Sequence, residues 1–367
     1  MGKLDAASTR RGYAAREDSM NTITHGRIAR LIVAAGAFGA ALTLPLVGAQ
    51  AQGKAYEMKI STPTIHDVPD AFGANFLAAV EKDSGGRIQG QVYPASQLGS
   101  IPRQIEGTQF GSIQCSIIPP EFFVGIDQRF EVMAAPGLVN SLAQGEKVAA
   151  DPKVRKLMLA LGANKGLHGV AIFMAEPSDV ISKTPIRHLA DFKGKKLRTF
   201  ASKFQTEAWS RLGATPVAMS LGDVLPALQQ GTIDGAVAGM GPFTHMHFVD
   251  AAKYITMTDQ PAIFLIVEIN KKWYDSLPPD LQKVVDKDAA EQAAAIGPAA
   301  IEMRKKSEAA WTAAGGEEIK LPPDEQVQMM KTLSSVGADV SKSDPQLAAA
   351  YKVVTDAAAR AAQTPSQ

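Results

Sequence analysis

The chain has 367 residues, 46% of them apolar and 20% charged, a globular composition long enough for two hydrophobic cores. Its 38 Lys and Arg against 37 Asp and Glu give no electrostatic footprint for nucleic acid or an anionic membrane surface. A lone cysteine, Cys115, excludes an internal disulfide and a thiolate metal cluster, and its apolar neighbours read as a small buried thiol.

The first fifty residues belong to neither core. His25, Arg27 and Arg30 precede an uncharged run over 31–47 rich in Ala, Leu and Val, and Ala49-Gln50-Ala51 follows as a small-x-small cleavage site. Seventeen residues are few for a membrane span. The stretch predicts a secretory signal cleaved after Ala51, a mature terminus at or near Gln52, and a periplasmic location in a Gram-negative bacterium. Met20 opens a signal of more ordinary length than Met1 does, and Arg10-Arg11 stands too far upstream for a twin-arginine signal. Cleavage would remove six basic and three acidic residues, leaving 32 basic and 34 acidic, net −2.

From Tyr56 the pattern alternates β-rich runs with helical ones. YEMKIST opens a strand, a helix is predicted over about 70–83, RIQGQVYP reads as a strand, a helix follows over about 101–109, and SIQCSII is again a strand. This alternation predicts βα units in a mostly parallel sheet covered on both faces, an α/β class. LGSIPRQIEGTQFGSIQCSII (98–118) and LGDVLPALQQGTIDGAVAG (221–239) share one design, Leu-Gly through a short helix to Gly-Ser/Thr-Ile and a strand. Two copies in separate halves predict two lobes of related build. Further on, 280–314 has helical periodicity that Gly297-Pro298 is expected to kink or break, giving a long helix across the lobes. Helices over about 323–336 and 345–362 finish the chain. The division is lobe I at 55–174 plus about 264–300, lobe II at 175–263, and bridging and C-terminal helices over about 280–362.

Nucleotide-binding and hydrolase signatures are absent: no G-x-x-x-x-G-K-[ST], no G-x-G-x-x-G after a strand, no G-x-S-x-G and no H-E-x-x-H. His245 and His247 with Asp250 resemble metal ligands only superficially, because positions i and i+2 of a helix point about 200° apart. His66 reads as a polar loop residue. Pro119, Phe122, Met174, Phe200, Met240 and Phe243 fall at or after predicted strand ends, where parallel sheets collect ligands, and together would form an apolar pocket wall. Each alone reads equally well as core, and Glu121 and Glu176 in the same loops read as solvated surface. Arg198 stands apart. A guanidinium inside the strand-like GKKLRTF, ahead of the helix-forming SKFQTEAWSRLG, needs an anion from the protein or from a ligand.

HLADFKGKKLRTFASKFQTEAWSRLGATPVAMSLGDVLPALQQGTIDGAVAG resembles the solute-binding proteins of tripartite ATP-independent periplasmic (TRAP) transporters. The likeness extends to SGGRIQGQVYPASQLG and LPPDLQKVVDKDA, and so over 55 to about 320. It implies two α/β lobes joined by hinge strands, a long bridging helix, closure on a ligand between the lobes, and a paired salt bridge from Arg198 to a ligand carboxylate. A second arginine that the family carries would fall near Ser178, where MAEPSDVI has none. The family's asparagine after its Asp-Gly is replaced by DGAVAGMGPF, and its acidic residue after the third strand is at best shifted to Glu121. These departures favour a small monocarboxylate with an apolar or aromatic remainder. The cleft is expected near 117–123, 174–178, 198–205 and 238–243.

The resemblance implies a monomeric binding protein without cofactor or metal that hands an organic acid to TRAP permease subunits. A periplasmic sensor presenting its closed form to a receptor kinase would use the same cleft. An enzyme on this scaffold has no evident pair of nucleophile and base.

Overall fold

The computed structural model describes residues 55–363, and the expected signal sequence and mature terminus lie outside them. Lobe I opens with β1 (Tyr56–Ser61), α1 (Val68–Asp83), β2 (Ile88–Tyr93), α2 (Ile101–Phe110) and β3 (Cys115–Ile118). Asp67 caps α1, Pro69 sits in the first turn where a missing N–H costs nothing, and Phe72, Phe76 and Val80 recur on the buried face. After 3-10 turns at Pro120–Phe123 and Gln128–Ala134 come α3 (Leu142–Ala150), α4 (Pro152–Met158) and the long β4 (Leu167–Pro177). Only Ser178 then separates β4 from β5 (Asp179–Ser182), which belongs to the second sheet.

Lobe II continues with β6 (Lys196–Thr199), α5 (Lys203–Arg211), β7 (Thr215–Ala218), α6 (Val224–Gln230), β8 (Gly235–Ala238), α7 (Met240–His245) and β9 (Tyr254–Met257). The chain returns to lobe I through β10 (Ala262–Asn270). It ends with α8 (Lys271–Ser276), α9 (Pro279–Ala313), β11 (Glu317–Lys320), α10 (Pro323–Leu333), α11 (Val336–Ser341) and α12 (Pro345–Gln363).

The sheet orders are β2-β1-β3-β10-β4 and β11-β9-β5-β8-β6-β7. The repeated sequence units thus occupy matching places: β2-β1-β3 in one lobe answers β7-β6-β8 in the other, and each unit delivers the strand beside a crossover strand. The expected mostly parallel sheets prove to be mixed. β10 runs antiparallel to β3 and β4, and β5 runs antiparallel to β8 and β9, because the crossover strands enter each sheet against the direction of the βα units.

The C-terminal helices answer two expectations. Pro298 lies inside α9, which runs on through it as the long helix expected across the lobes; the flanking Ile296, Gly297 and Ala300 are buried, and packing holds the helix where propensity alone would not. Gly297 serves a close approach instead, since a Cβ there would stand 1.3 Å from a Glu146 carboxyl oxygen on α3. The helix expected over 323–336 divides into α10 and α11, and the charged EEIK segment is a strand, β11, paired in parallel with β9.

The hinge is the pair of crossovers. Ser178 N–H and Oγ both donate to the Pro261 carbonyl, at 3.0 and 2.7 Å, and Thr258 Oγ1 donates to the Ser178 carbonyl at 3.2 Å. Arg304 of α9 clasps this point, donating to Asp179 Oδ2 at 2.9 Å and the Pro177 carbonyl at 3.3 Å, with Glu176 3.7 Å away. α9 packs on α1 and β4 at one end and on α7 and β11 at the other.

Candidate functional site

Arg198 lies on β6, beside β8 and β7, and is 1% exposed. Its Nε donates to the Met219 carbonyl at 3.0 Å and its Nη1 to the Val237 carbonyl at 2.8 Å, which fixes the fork and leaves donors on Nη1 and Nη2 free to turn elsewhere. Among the described residues no carboxylate comes within 4.0 Å of it. The guanidinium sits over the Phe200 ring at 4.7 Å and the Phe122 ring at 6.0 Å, and the two rings stack on each other at 5.3 Å. Phe122 follows β3 and Phe200 follows β6, so this stack joins the lobes. Burial pulls the guanidinium pKa down to about 9, against the pull of Glu121 and Asp223, and it remains a cation at neutral pH.

The guanidinium opens on an interlobe cavity of about 50 Å3 whose walls are chiefly apolar, among them Ile101, Pro119, Leu221, Pro242, Ile263 and Leu265. Thr64, Asp67, Glu176 and Arg198 are its polar lining, and Arg198 is the one cation among them. Glu176 is already engaged. Its Oε2 accepts from Met240 N–H at 3.0 Å at the start of α7, and burial raises its carboxyl to about 7 despite the nearby Arg304. Gly239 makes room for it, because a Cβ there would fall 1.9 Å from Glu176 Oε1.

Polar contacts also cross the seam between the lobes. Glu131, 1% exposed, accepts from Ser202 Oγ at 3.2 Å and Lys203 N–H at 2.6 Å, capping α5 from the other lobe. Gln205 donates to Glu121 Oε1 at 3.3 Å and accepts from Phe200 N–H at 3.1 Å. Glu121 is therefore buried rather than solvated, and burial pushes its carboxyl to about 8, with Glu131 adding to the rise.

Of the residues singled out in sequence, Arg198, Phe200, Pro119, Phe122 and Glu176 meet around the cavity. Glu121 stands behind Arg198. Ser178 belongs to the hinge, Met174 lies against Gly145 of α3, and Phe243 packs edge-on to Phe248 in the core. The Met240 side chain is likewise core, and only its main-chain N–H reaches the site, through Glu176. The arginine missing near Ser178 has a cationic neighbour in Arg304, which arrives from α9 with no sequence signal to link the two. His247 follows α7 with φ 57°, and among the described residues no His, Cys, Asp and Glu group could hold a metal ion.

The chain is similar to known proteins. A family model described as bacterial extracellular solute-binding protein, family 7 (DctP), matches residues 61–343. The C4-dicarboxylate-binding periplasmic protein DctP of Rhodobacter capsulatus is 28% identical over 322 residues, 86% of this chain and 94% of that protein. The sugar acid binding protein DctPAm of Advenella mimigardefordensis, solved with galactonate, superposes with a TM-score of 0.79 at 20% identity, covering 84% of this chain and 99% of that one. A TRAP periplasmic solute-binding protein of Desulfovibrio salexigens, solved with orotic acid, gives a TM-score of 0.77 at 23% identity over 83% and 99% of the two chains.

Proposed function

Because the chain belongs to the family 7 bacterial extracellular solute-binding proteins, the DctP family, we propose that it captures a small organic acid in the periplasm and delivers it to the membrane subunits of a TRAP permease. The observation that carries this reading is a buried, charged guanidinium that lacks a carboxylate partner among the described residues and opens on an apolar interlobe cavity. A planar fork of donors matches the two oxygens of a carboxylate, and that pairing is strongest in a closed, dry cleft. Arg198 is the anchor. Phe122 and Phe200 cover it, and the apolar walls favour a monocarboxylate whose remainder is apolar or aromatic. The protein binds and hands over its ligand without chemical change.

Two measurements test this. Native mass spectrometry of protein purified without unfolding should find a bound carboxylic acid. Calorimetry with that acid should show a loss of roughly 30- to 5,000-fold in Arg198→Ala, because the ligand charge is left desolvated and unpaired. Arg198→Lys should also bind poorly, since one ammonium cannot reproduce two parallel hydrogen bonds. Near-unchanged affinity in Arg198→Ala overturns the anchor role.

A further inference from the structure

The interlobe cavity gathers more carboxyl groups than cations. Asp67, on the loop between β1 and α1, and Glu176, at the end of β4, both line it and are 4% and 8% exposed. They converge on the first turn of α7: from the point where a Gly241 Cβ would stand, Glu176 Oε1 is 3.3 Å away and Asp67 Oδ2 is 3.9 Å away. Glu121, 1% exposed, stands behind Arg198 at the seam, where Glu131 adds a further acidic neighbour. Against these carboxyls stand two guanidiniums. Arg198 is the one cation of the lining and also faces Asp223, and Arg304, 3.7 Å from Glu176, is shared with the buried Asp179 at 2.9 Å. No other cation relieves them. Lys203 bears on Glu131, Asp70 brings Asp67 both an N–H and a like charge, and the His66 ring turns to His245, 6.0 Å between centroids.

We infer that capture of the acid is coupled to proton uptake: the ligand enters as a carboxylate anion, and as the lobes close the Asp67, Glu176 and Glu121 carboxyls take protons from water. This rests on the carboxylate reading of Arg198 and deepens it. In an open, wet cleft hydrated carboxyls are ionised at neutral pH. Closure exchanges that water for apolar walls, where an uncompensated charge is strongly disfavoured. The incoming carboxylate claims the charge of Arg198 and brings a further negative charge to a place that already has an excess. Protons remove the excess without moving a side chain. With the lobes in contact, burial holds Asp67 and Glu121 up to about 8 and Glu176 up to about 7. A carboxyl whose value rises on closure favours the closed form as pH falls. Affinity therefore strengthens as pH drops from about 8 and levels off only near the ordinary carboxyl range.

The test is calorimetry of the purified protein with the sodium salts of butyrate, 4-methylpentanoate, benzoate, phenylacetate and succinate. Each is titrated at pH 6.5 and 7.5, in phosphate and in imidazole buffer, whose different heats of ionisation count the protons exchanged. The acid that binds should carry about one proton or more into the protein, and its affinity should rise roughly tenfold per proton from pH 7.5 to 6.5. Asp67→Asn keeps the α1 cap, because asparagine caps as well as aspartate does, and Glu176→Gln and Glu121→Gln keep an acceptor oxygen. Each amide should lower the proton count and flatten the pH dependence; a merely structural role would weaken binding equally at both pH values and leave the count unchanged. Binding that is lost in Arg198→Ala yet takes up no proton overturns the inference and leaves the carboxylate reading standing. A proton count that persists with all three amides in place assigns the proton elsewhere and overturns it too. If none of the five acids binds, both fall.

Discussion

At the scale of single residues, the site is a place where ionisable groups are held under protest. Glu121 is buried behind Arg198, and its carboxyl is raised from an unfolded value near 4.5 to about 8. The folded chain therefore binds this proton more tightly than the unfolded chain, so the group lowers stability as pH rises from about 4.5 through about 8. Glu121→Gln mimics the protonated acid and keeps the acceptor for Gln205. Urea denaturation should give the variant equal stability at pH 5 and greater stability at pH 9, by about 1 kcal/mol or more. Equal stability at pH 9 would mean that the carboxyl is solvated after all. Arg198 stands out in sequence as a permanent cation inside a strand pattern, but residue chemistry alone does not choose between a protein anion and a ligand, and that choice rests on the family resemblance. Asp67 and Thr64 do not stand out, since Asp67 before Val68-Pro69 reads only as a helix cap and nothing local tells which loop folds over a cleft. The cores that claim Met240 and Phe243 were equally hidden, as an aromatic or thioether after a strand end carries no sign of the side it will face.

At the scale of elements, the repeated Leu-Gly units and the βα alternation disclosed the two matching sheets, because βα periodicity is local. The short strands β5, β9 and β11 are only four residues each and acquire their conformation from partners far along the chain, which local pattern cannot supply. The glycine-rich turn between β8 and α7 shows what such a segment is for. With Gly239 bare, Glu176 from the end of β4 can sit against the first turn of α7 and accept from Met240 N–H, tying the hinge strand to lobe II. Gly239→Ala would drive a methyl into the Glu176 carboxyl. Since β8 and α7 cannot retreat from a packed core, the carboxyl must leave. The expected outcome is a loss of about 1–3 kcal/mol in urea denaturation, from the main-chain donor and the buried charge left without each other. The paired variant Gly239→Ala/Glu176→Gln should recover part of that loss. Additive losses would show that the two residues do not act on one another.

At the scale of the whole molecule, the hinge and the seam have different chemistry, and this difference predicts motion. The hinge is held by bonds local to the crossovers: Ser178 to Pro261, Thr258 to Ser178, and Arg304 clasping Asp179 and the Pro177 carbonyl. The seam is polar and dispersed, with Glu131 capping α5, Gln205 reaching Glu121, and one aromatic stack between Phe122 and Phe200. Water can replace most of those seam contacts, so closure without ligand is worth little and a bound acid that touches both lobes decides the balance. Small-angle scattering should therefore show a smaller radius of gyration once the acid found by mass spectrometry is added, and an unchanged radius at saturation would sink the hinge motion. Glu131→Gln separates closure from contact, because Glu131 is not part of the cavity lining. Losing its charge at the α5 N-terminus weakens the closed form, and the apparent affinity falls by the fraction of molecules still competent to close, about tenfold for a shift near 1.4 kcal/mol. The ligand-saturated radius should match that of the parent protein while the affinity drops. A variant that binds as tightly as the parent would show that the α5 cap has no part in holding the lobes together.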